Sequence, residues 1–228
     1  MIKNGDFMVR LIDSDNPETY DNFRKEKSSF HARKMEKIFF WVEKKGKMKV
    51  LEIGAGTGTY TKLLGGHFRD VTATDLRKEM IDRLKAKKIK AKVKVADCLE
   101  LPYKKGSFDM VVGISLFHHI SKKDRKKFFA EMNRVLKKGG ILVLSDPNKL
   151  NPGTSLYQAL QGEHAISRFE MRNLSEKAGF GVKKIGEILI RSPGTSNFLE
   201  KLPGWNVFES VLEKIGMGVT VFLVAEKG

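Results

Sequence analysis

Carboxylates and imidazoles recur in this chain directly after short apolar runs. The first run, Val50-Leu51-Glu52-Ile53, carries an acid and breaks into Gly54-Ala55-Gly56-Thr57-Gly58. A second, Val71-Thr72-Ala73-Thr74, closes on Asp75, at the roughly 20-residue spacing of a βαβ nucleotide site. Glycines let a backbone turn sharply and approach a ligand closely, and a strand-end carboxylate can accept from two ribose hydroxyls. The pattern implies a ligand built on adenosine. Further along, His118-His119 and Asp146-Pro147-Asn148 each follow an apolar run. Histidine accepts protons near neutral pH, so the pair offers a base or merely shapes its loop. Neighbours on a regular element cannot both face one pocket, and we assign His119 to it. Asp146 either contacts a substrate or makes a turn. With no cysteine–histidine ligand set around the pair, spacing points to no metal.

The elements that must position these residues alternate. Helical periodicity runs from His31 to Lys45 through Met35, Ile38, Phe39 and Val42. Strands are predicted at Lys49–Ile53, Val71–Asp75, Lys92–Ala96, Phe108–Ile114 and Ile141–Ser145. Helices are predicted from about Thr59, over Lys78–Lys88, and over Lys123–Leu136, the last stopped by Gly139-Gly140. This alternation argues for an α/β, doubly wound sheet. Beyond it lie a helix at Arg168–Ala178 and strands at Val182–Ile190 and Val219–Ala225. Asn148–Arg168 reads as a lid or substrate loop carrying Tyr157 and His164, and Ser192–Gly216 as an amphipathic insertion. Residues 1–30 form a polar arm, with Tyr20 placed to close over a site and His31 to help.

Composition limits the function classes. At 228 residues, with 41% apolar and 31% charged, the chain suits one soluble domain. We divide it into an arm and helix (1–45), a cofactor-binding core (46–147) and a substrate-loop region with the last two strands (148–228). No apolar run reaches the roughly 18 residues of a membrane span, and the N-terminus lacks a signal-peptide core. The lone Cys98 excludes an internal disulfide. These features place the protein in the cytoplasm. The net charge of +16 is concentrated in residues 1–150, where 34 Lys+Arg face 19 Asp+Glu. Many of these lysines precede strands, at the sheet edge opposite the one that binds ligands. Lys122-Lys123-Asp124-Arg125-Lys126-Lys127 is the exception, since it follows a strand.

Taken together, the motifs resemble a class I S-adenosylmethionine-dependent methyltransferase. They are Leu51 to Gly58, then Asp75, then Ala96-Asp97-Cys98-Leu99-Glu100-Leu101-Pro102, Ser107 to Val112, and Glu131 to Gly140. The resemblance covers residues 15–147 well and the remainder in outline. It implies a Rossmann-like seven-stranded sheet in the order 3-2-1-4-5-7-6 with strand 7 antiparallel, and S-adenosylmethionine as cofactor. By the same resemblance, the turn at Gly54, Ala55, Gly56 and Gly58 faces the methionine part and Glu52 holds its ammonium group. Asp75 takes the ribose hydroxyls, with Leu76 beside it. Asp97 accepts from the adenine amino group, Cys98 and Leu99 line the ring, and Ser115 and Leu116 flank the methionine part. Asp146, Tyr157 and His164 are substrate candidates. A dinucleotide oxidoreductase fits less well, because Thr59 stands where G-x-G-x-x-G/A requires glycine or alanine.

The acceptor is expected to be a small molecule or a lipid-like compound, methylated on O, N or C. Enzymes acting on exocyclic base nitrogens carry an Asn/Asp-Pro-Pro-aromatic signature after strand 4, where this chain has Ser115-Leu116-Phe117-His118. Carbon-5 pyrimidine enzymes need a nucleophilic cysteine after strand 4 or 5, and Cys98 follows strand 3. An RNA methyltransferase using Lys122–Lys127 is the alternative, and a cofactor-binding scaffold without catalysis the third reading. Oligomeric state is not legible.

Overall fold

The computed structural model describes residues 28–43, 47–160, 162–188 and 218–228, together with Glu18. Seven strands occur: β1 (Lys49–Ile53), β2 (Asp70–Asp75), β3 (Lys92–Val95), β4 (Phe108–Ile114), β5 (Leu136–Pro147), β6 (Phe180–Ile188) and β7 (Thr220–Lys227). The helices are α1 (Ser28–Phe39), α2 (Thr59–His67), α3 (Lys78–Ala86), α4 (Arg125–Val135), α5 (Pro152–Leu160) and α6 (Arg168–Lys177). The strands join one sheet in the order β3-β2-β1-β4-β5-β7-β6. The first five are parallel, and β7 runs antiparallel to both β5 and β6. Order and direction match the expectation. Tyr20 and the whole of the predicted insertion at Ser192–Gly216 lie outside the described residues.

Both faces of the sheet are covered, which explains the continuous apolar runs in its central strands. In β4, Met110, Val112 and Ile114 pack with Ile38 of α1 and Leu64 of α2. Phe108 and Val111 join Phe128, Phe129, Met132 and Val135 of α4 on the other face. The last four are fully buried along one stripe of the helix, and burying each such side chain contributes about 1.5–3 kcal/mol.

Two stretches depart from their predicted form. The helix of Lys123–Leu136 ends at Val135, and β5 begins at once at Leu136, so Gly139-Gly140 lies inside extended chain. Leu136 pairs with Phe108, and a register shift separates that pair from Met110–Ile141. Gly139, with φ 70°, supplies the left-handed residue such an irregularity uses. In the expected loop Asn148–Arg168, a helix forms over Pro152–Leu160. Asn151 Oδ1 accepts from the Thr154 N–H at 3.0 Å, and Pro152 occupies the first helical position.

The acid of Ser107-Phe108-Asp109 works at the amino edge of the sheet. It accepts from the Lys49 N–H at 2.8 Å and from Lys137 Nζ at 2.6 Å, pinning the starts of β1 and β5 to β4. At the other edge, Ile53 pairs with Thr74 on one side and Gly113 on the other, and Gly113 pairs with Leu144. Gly54, Asp75, Ser115 and Asp146 therefore stand together at the carboxyl end of the parallel strands.

Candidate active site

The glycine turn and Asp75 are locked to each other. Gly54, Gly56 and Gly58 have φ of 64°, 53° and 93°, a region that side chains disfavour. A Cβ on Gly54 would lie 2.7 Å from Leu116 Cδ1. The Gly56 N–H donates to Asp75 Oδ2 at 2.8 Å and the Arg77 N–H to Oδ1 at 3.0 Å, so the carboxylate is oriented before any ligand arrives. Beside it Leu76 is 66% exposed, an apolar side chain held at the edge of the sheet. Glu52 lies beneath the turn, buried, and its Oε2 accepts from the Thr61 hydroxyl at 2.6 Å. Burial pushes the Glu52 carboxyl up to about 8, the Thr61 bond opposes this, and the charge of Asp75 adds to it.

Asp97, Cys98 and Leu99 sit on the loop after β3. Asp97 is exposed, and its Oδ1 accepts from the Leu99 N–H at 2.8 Å, as in a turn-forming aspartate. Burial, with the charge of Asp97, pushes the Cys98 thiol up to about 12, so it stays protonated and packs against the core. The loop is held from α4. Arg134 donates to the carbonyls of Tyr103 at 2.6 Å and Leu101 at 2.9 Å, and Glu131 accepts from the Leu101 N–H at 2.6 Å.

After β4 the chain turns through Ser115, a non-glycine at φ 55° whose N–H donates to the Ser145 carbonyl at 2.7 Å. Such strain in a side-chain-bearing residue gathers at functional edges. Phe117–His119 then forms a 3-10 turn. His118 is buried, and its backbone N–H (3.1 Å) and Nδ1 (2.7 Å) both meet Asp146 Oδ1. His119 Nδ1 lies 3.1 Å from Glu163 Oε1, and His118 Nε2 lies 3.7 Å from Glu163 Oε2. Burial of the Glu163 carboxyl is outweighed by its hydrogen bond with His119 and the nearby His118, leaving it below the usual carboxylate range.

Several expectations are corrected here. The two histidines both reach one carboxylate, because a 3-10 turn does not alternate faces as a strand does. His118 is the more tightly oriented member of the pair, and His119 is about half exposed, which does not conflict with its expected place at the pocket. Asp146, read as either a substrate contact or a turn residue, is fully buried behind His118. Glu163 was not anticipated: it is distant in sequence, and no spacing signal marks it. It completes a group of three metal-capable side chains where spacing indicated none. His164 has an exposed side chain, and its N–H donates to the His118 carbonyl at 3.3 Å. His31 is buried against Tyr60, in the first turn of the helix after Gly58, with Nδ1 2.8 Å from the phenol oxygen. The side chain of Tyr157, like all of Tyr20, is outside the described residues. In the run after the 3-10 turn, Lys122, Lys123, Lys126 and Lys127 are exposed. Arg125 is buried, donating to Glu170 and to the His164 carbonyl and lying over the Phe117 ring.

The methyltransferase domain family matches residues 51–144, the segment that builds β1 through β5 and every one of these edges except Glu163 and Asp146. Within that segment the chain is similar to S-adenosylmethionine-dependent methyltransferases. A probable S-adenosylmethionine-dependent methyltransferase of Mycolicibacterium smegmatis is 29% identical over 136 residues, 59% of this chain and 52% of the relative. A 2-methyl-6-phytyl-1,4-hydroquinone methyltransferase of Synechocystis is 33% identical over 104 residues, 44% of this chain and 32% of that protein. The chain spans about half the length of the curated relatives it matches. Among solved structures, a methyltransferase of Thermotoga maritima, described as a possible histamine N-methyltransferase, shares the fold. Its TM-score is 0.73 at 19% identity, covering 95% of this chain and 98% of the other. No described helix of the chain is long and apolar enough to cross a membrane.

S-adenosylmethionine is the cofactor of this family, and the residues fit it. The glycine turn keeps its backbone against its neighbours, since a Cβ on Gly54 would strike Leu116 and one on Gly58 would strike Leu84. The buried Thr57 hydroxyl, inside that turn, has no hydrogen-bond partner among the described residues.

Proposed function

We propose that this methyltransferase transfers the methyl group of S-adenosylmethionine to an O, N or C nucleophile of a small-molecule or lipid-like acceptor. The observation that carries the proposal is the convergence at one sheet edge: the glycine turn locked to Asp75 stands beside a strained Ser115 and a histidine pair backed by a buried aspartate. The bound cofactor supplies a methyl group made electrophilic by its sulfonium.

The chain's own residues bind, orient and take up protons. Asp75, already oriented by two N–H groups, accepts from the ribose hydroxyls with its remaining lone pairs. Glu52, poised near neutrality, ionises opposite the ammonium group. Leu76 and Leu99 flank the adenine ring, and Asp97 accepts its amino group with the oxygen not used by the turn. Ser115 and Leu116 bound the methionine side. For an acceptor bearing a hydroxyl, His118 holds its Nδ1 hydrogen against Asp146 and leaves Nε2 free to accept a proton. His119 and Glu163 complete that surface. Orientation of nucleophile and methyl is the largest contribution asked of the protein, up to roughly 7–11 kcal/mol.

The Synechocystis relative acts, by its name, on a lipid-like hydroquinone, which supports an apolar phenolic acceptor. The four exposed lysines of 122–127 support a second reading, RNA. One experiment separates them: incubation with methyl-labelled S-adenosylmethionine and fractionated extract of the source cells. Label in a small-molecule or lipid fraction is expected, whereas label in RNA reverses the ranking. Asp75→Ala should weaken cofactor binding at least tenfold by calorimetry. Unchanged affinity in a folded variant would overturn the ribose assignment.

A further inference from the structure

His118, His119 and Glu163 present a donor set that the methyl-transfer reading leaves partly unexplained. Their ligand atoms all lie within 4.8 Å of one another. Asp146 is fully buried, and a carboxylate only accepts, so the proton shared with His118 at 2.7 Å sits on Nδ1. His118 Nε2 points towards Glu163 Oε2, 3.7 Å away, and His119 Nδ1 lies 3.1 Å from Glu163 Oε1, so both imidazoles converge on one carboxylate. Independently, Asp146 Oδ2 is buried with no hydrogen-bond partner among the described residues. A buried carboxylate left half-unsatisfied calls for positive charge nearby.

We propose that His118 Nε2, His119 Nδ1 and Glu163 bind a divalent transition ion of the zinc class, with Asp146 as the carboxylate that orients His118. Ligand bonds of about 2.1 Å require neighbouring donors to lie roughly 3.4 Å apart in a tetrahedral site. His119 Nδ1 lies 3.1 Å from Glu163 Oε1 and His118 Nε2 3.7 Å from Glu163 Oε2, one to each carboxylate oxygen and both near that value. Two imidazoles and one carboxylate suit zinc or another late first-row ion and disfavour magnesium and calcium, which prefer all-oxygen shells. A histidine ligand whose other nitrogen donates to a carboxylate is the usual outer-shell arrangement of such sites. Three protein donors leave one position open, and His119 is half exposed, so that position faces outward at the edge where the proposed acceptor enters. An acceptor oxygen bound there would lose its proton more readily, the ion replacing His118 Nε2 as the group that activates the acceptor. This role rests on the proposed methyl transfer, while ion binding does not.

The test uses the full-length, tag-free chain stripped with a chelator. Zn2+ is titrated calorimetrically and in competition with a chromogenic chelator, and S-adenosylmethionine binding is measured in the same preparation. One equivalent of Zn2+ is expected, undisturbed by millimolar Mg2+. His119→Ala and Glu163→Gln should each weaken Zn2+ at least tenfold, and Asp146→Asn by about 10–100-fold. His67→Ala, at the end of α2, should bind as the unaltered chain does. His119 is half exposed, so its truncation leaves the core intact, and circular dichroism verifies the fold of every variant. Absence of stoichiometric Zn2+ binding, or equal affinity in folded His119→Ala and Glu163→Gln, overturns the site. If Zn2+ fails to bind while S-adenosylmethionine binds, the ion proposal falls and the cofactor reading stands. The opposite result separates them the other way.

Discussion

Glu52 is the residue whose protonation the fold perturbs most usefully. Its carboxyl, pushed up to about 8 by burial, is mostly neutral at pH 7 in the absence of ligand. A cationic ammonium placed beside it favours the ionised form, so binding must expel the carboxyl proton. Each pH unit below 8 therefore costs about tenfold in affinity. We expect S-adenosylmethionine affinity to rise close to tenfold per unit from pH 6 to 7. It should level near pH 8, where an α-amino group of pKa roughly 7.7–8.0 itself loses its proton. Calorimetry in buffers of different ionisation enthalpy reads the released proton directly. Glu52→Gln should bind more weakly at pH 8 and lose most of the pH dependence below it. A flat affinity between pH 6 and 8 in the unaltered chain would mean that Glu52 does not face the ammonium group.

At the scale of elements, residues far from the edge decide where the edge residues stand. Glu131 and Arg134 of α4 hold the backbone of Leu101 and Tyr103, and through it the loop of Asp97 and Leu99. Arg134→Ala removes two charge-assisted bonds from a partly exposed guanidinium, a loss of about 1–2 kcal/mol after allowing for solvent. The melting temperature should fall by several degrees and cofactor affinity several-fold, with turnover at saturating cofactor nearly unchanged. Arg134→Lys should rescue little, since a single ammonium cannot span both carbonyls. Affinity equal to that of the unaltered chain would detach this loop from the cofactor.

The same scale shows what the sequence discloses. Strand positions were legible because covered strands are apolar throughout, and the glycine turn because only glycine takes three left-handed residues so closely spaced. The start of β5 was not, because Leu136 continues the apolar stripe of α4 while pairing with Phe108. The helix at Pro152 had a readable signal in Asn151-Pro152, masked by the turn-forming residues around it. Glu163 had none: its meeting with His118 and His119 is created by tertiary packing, with the His164 N–H on the His118 carbonyl as one tie.

For the whole molecule, the perturbed carboxyls pull stability in opposite directions with pH. Asp109, Glu131 and Glu163 are held below their usual range despite partial burial. Lys137 and Lys49 do this for Asp109, Arg134 and the Leu101 N–H for Glu131, and His119 with His118 for Glu163. Their contribution is complete above the unfolded carboxyl pKa, about 4, and is lost as pH falls through their folded values. Glu52 acts the other way. Its raised value means that the folded state binds the proton more tightly, so its contribution is complete below pH 4.5 and is lost as pH rises to about 8. A shift of that size corresponds to at most about 5 kcal/mol, reduced by relaxation around the charge. Cys98, pushed up to about 12, adds a further loss once the unfolded thiol begins to ionise, near pH 8.5. Thermal stability should accordingly peak between about pH 4.5 and 5 and decline by several degrees towards pH 8. Glu52→Gln should flatten the decline between pH 5 and 8, leaving the acid limb in place. S-adenosylmethionine should flatten it too, since its ammonium compensates the carboxylate that the folded chain otherwise buries alone. Melting curves at half-unit pH steps, with and without cofactor, measure both effects. If the decline persists unchanged in Glu52→Gln, the titrating group lies elsewhere in the fold.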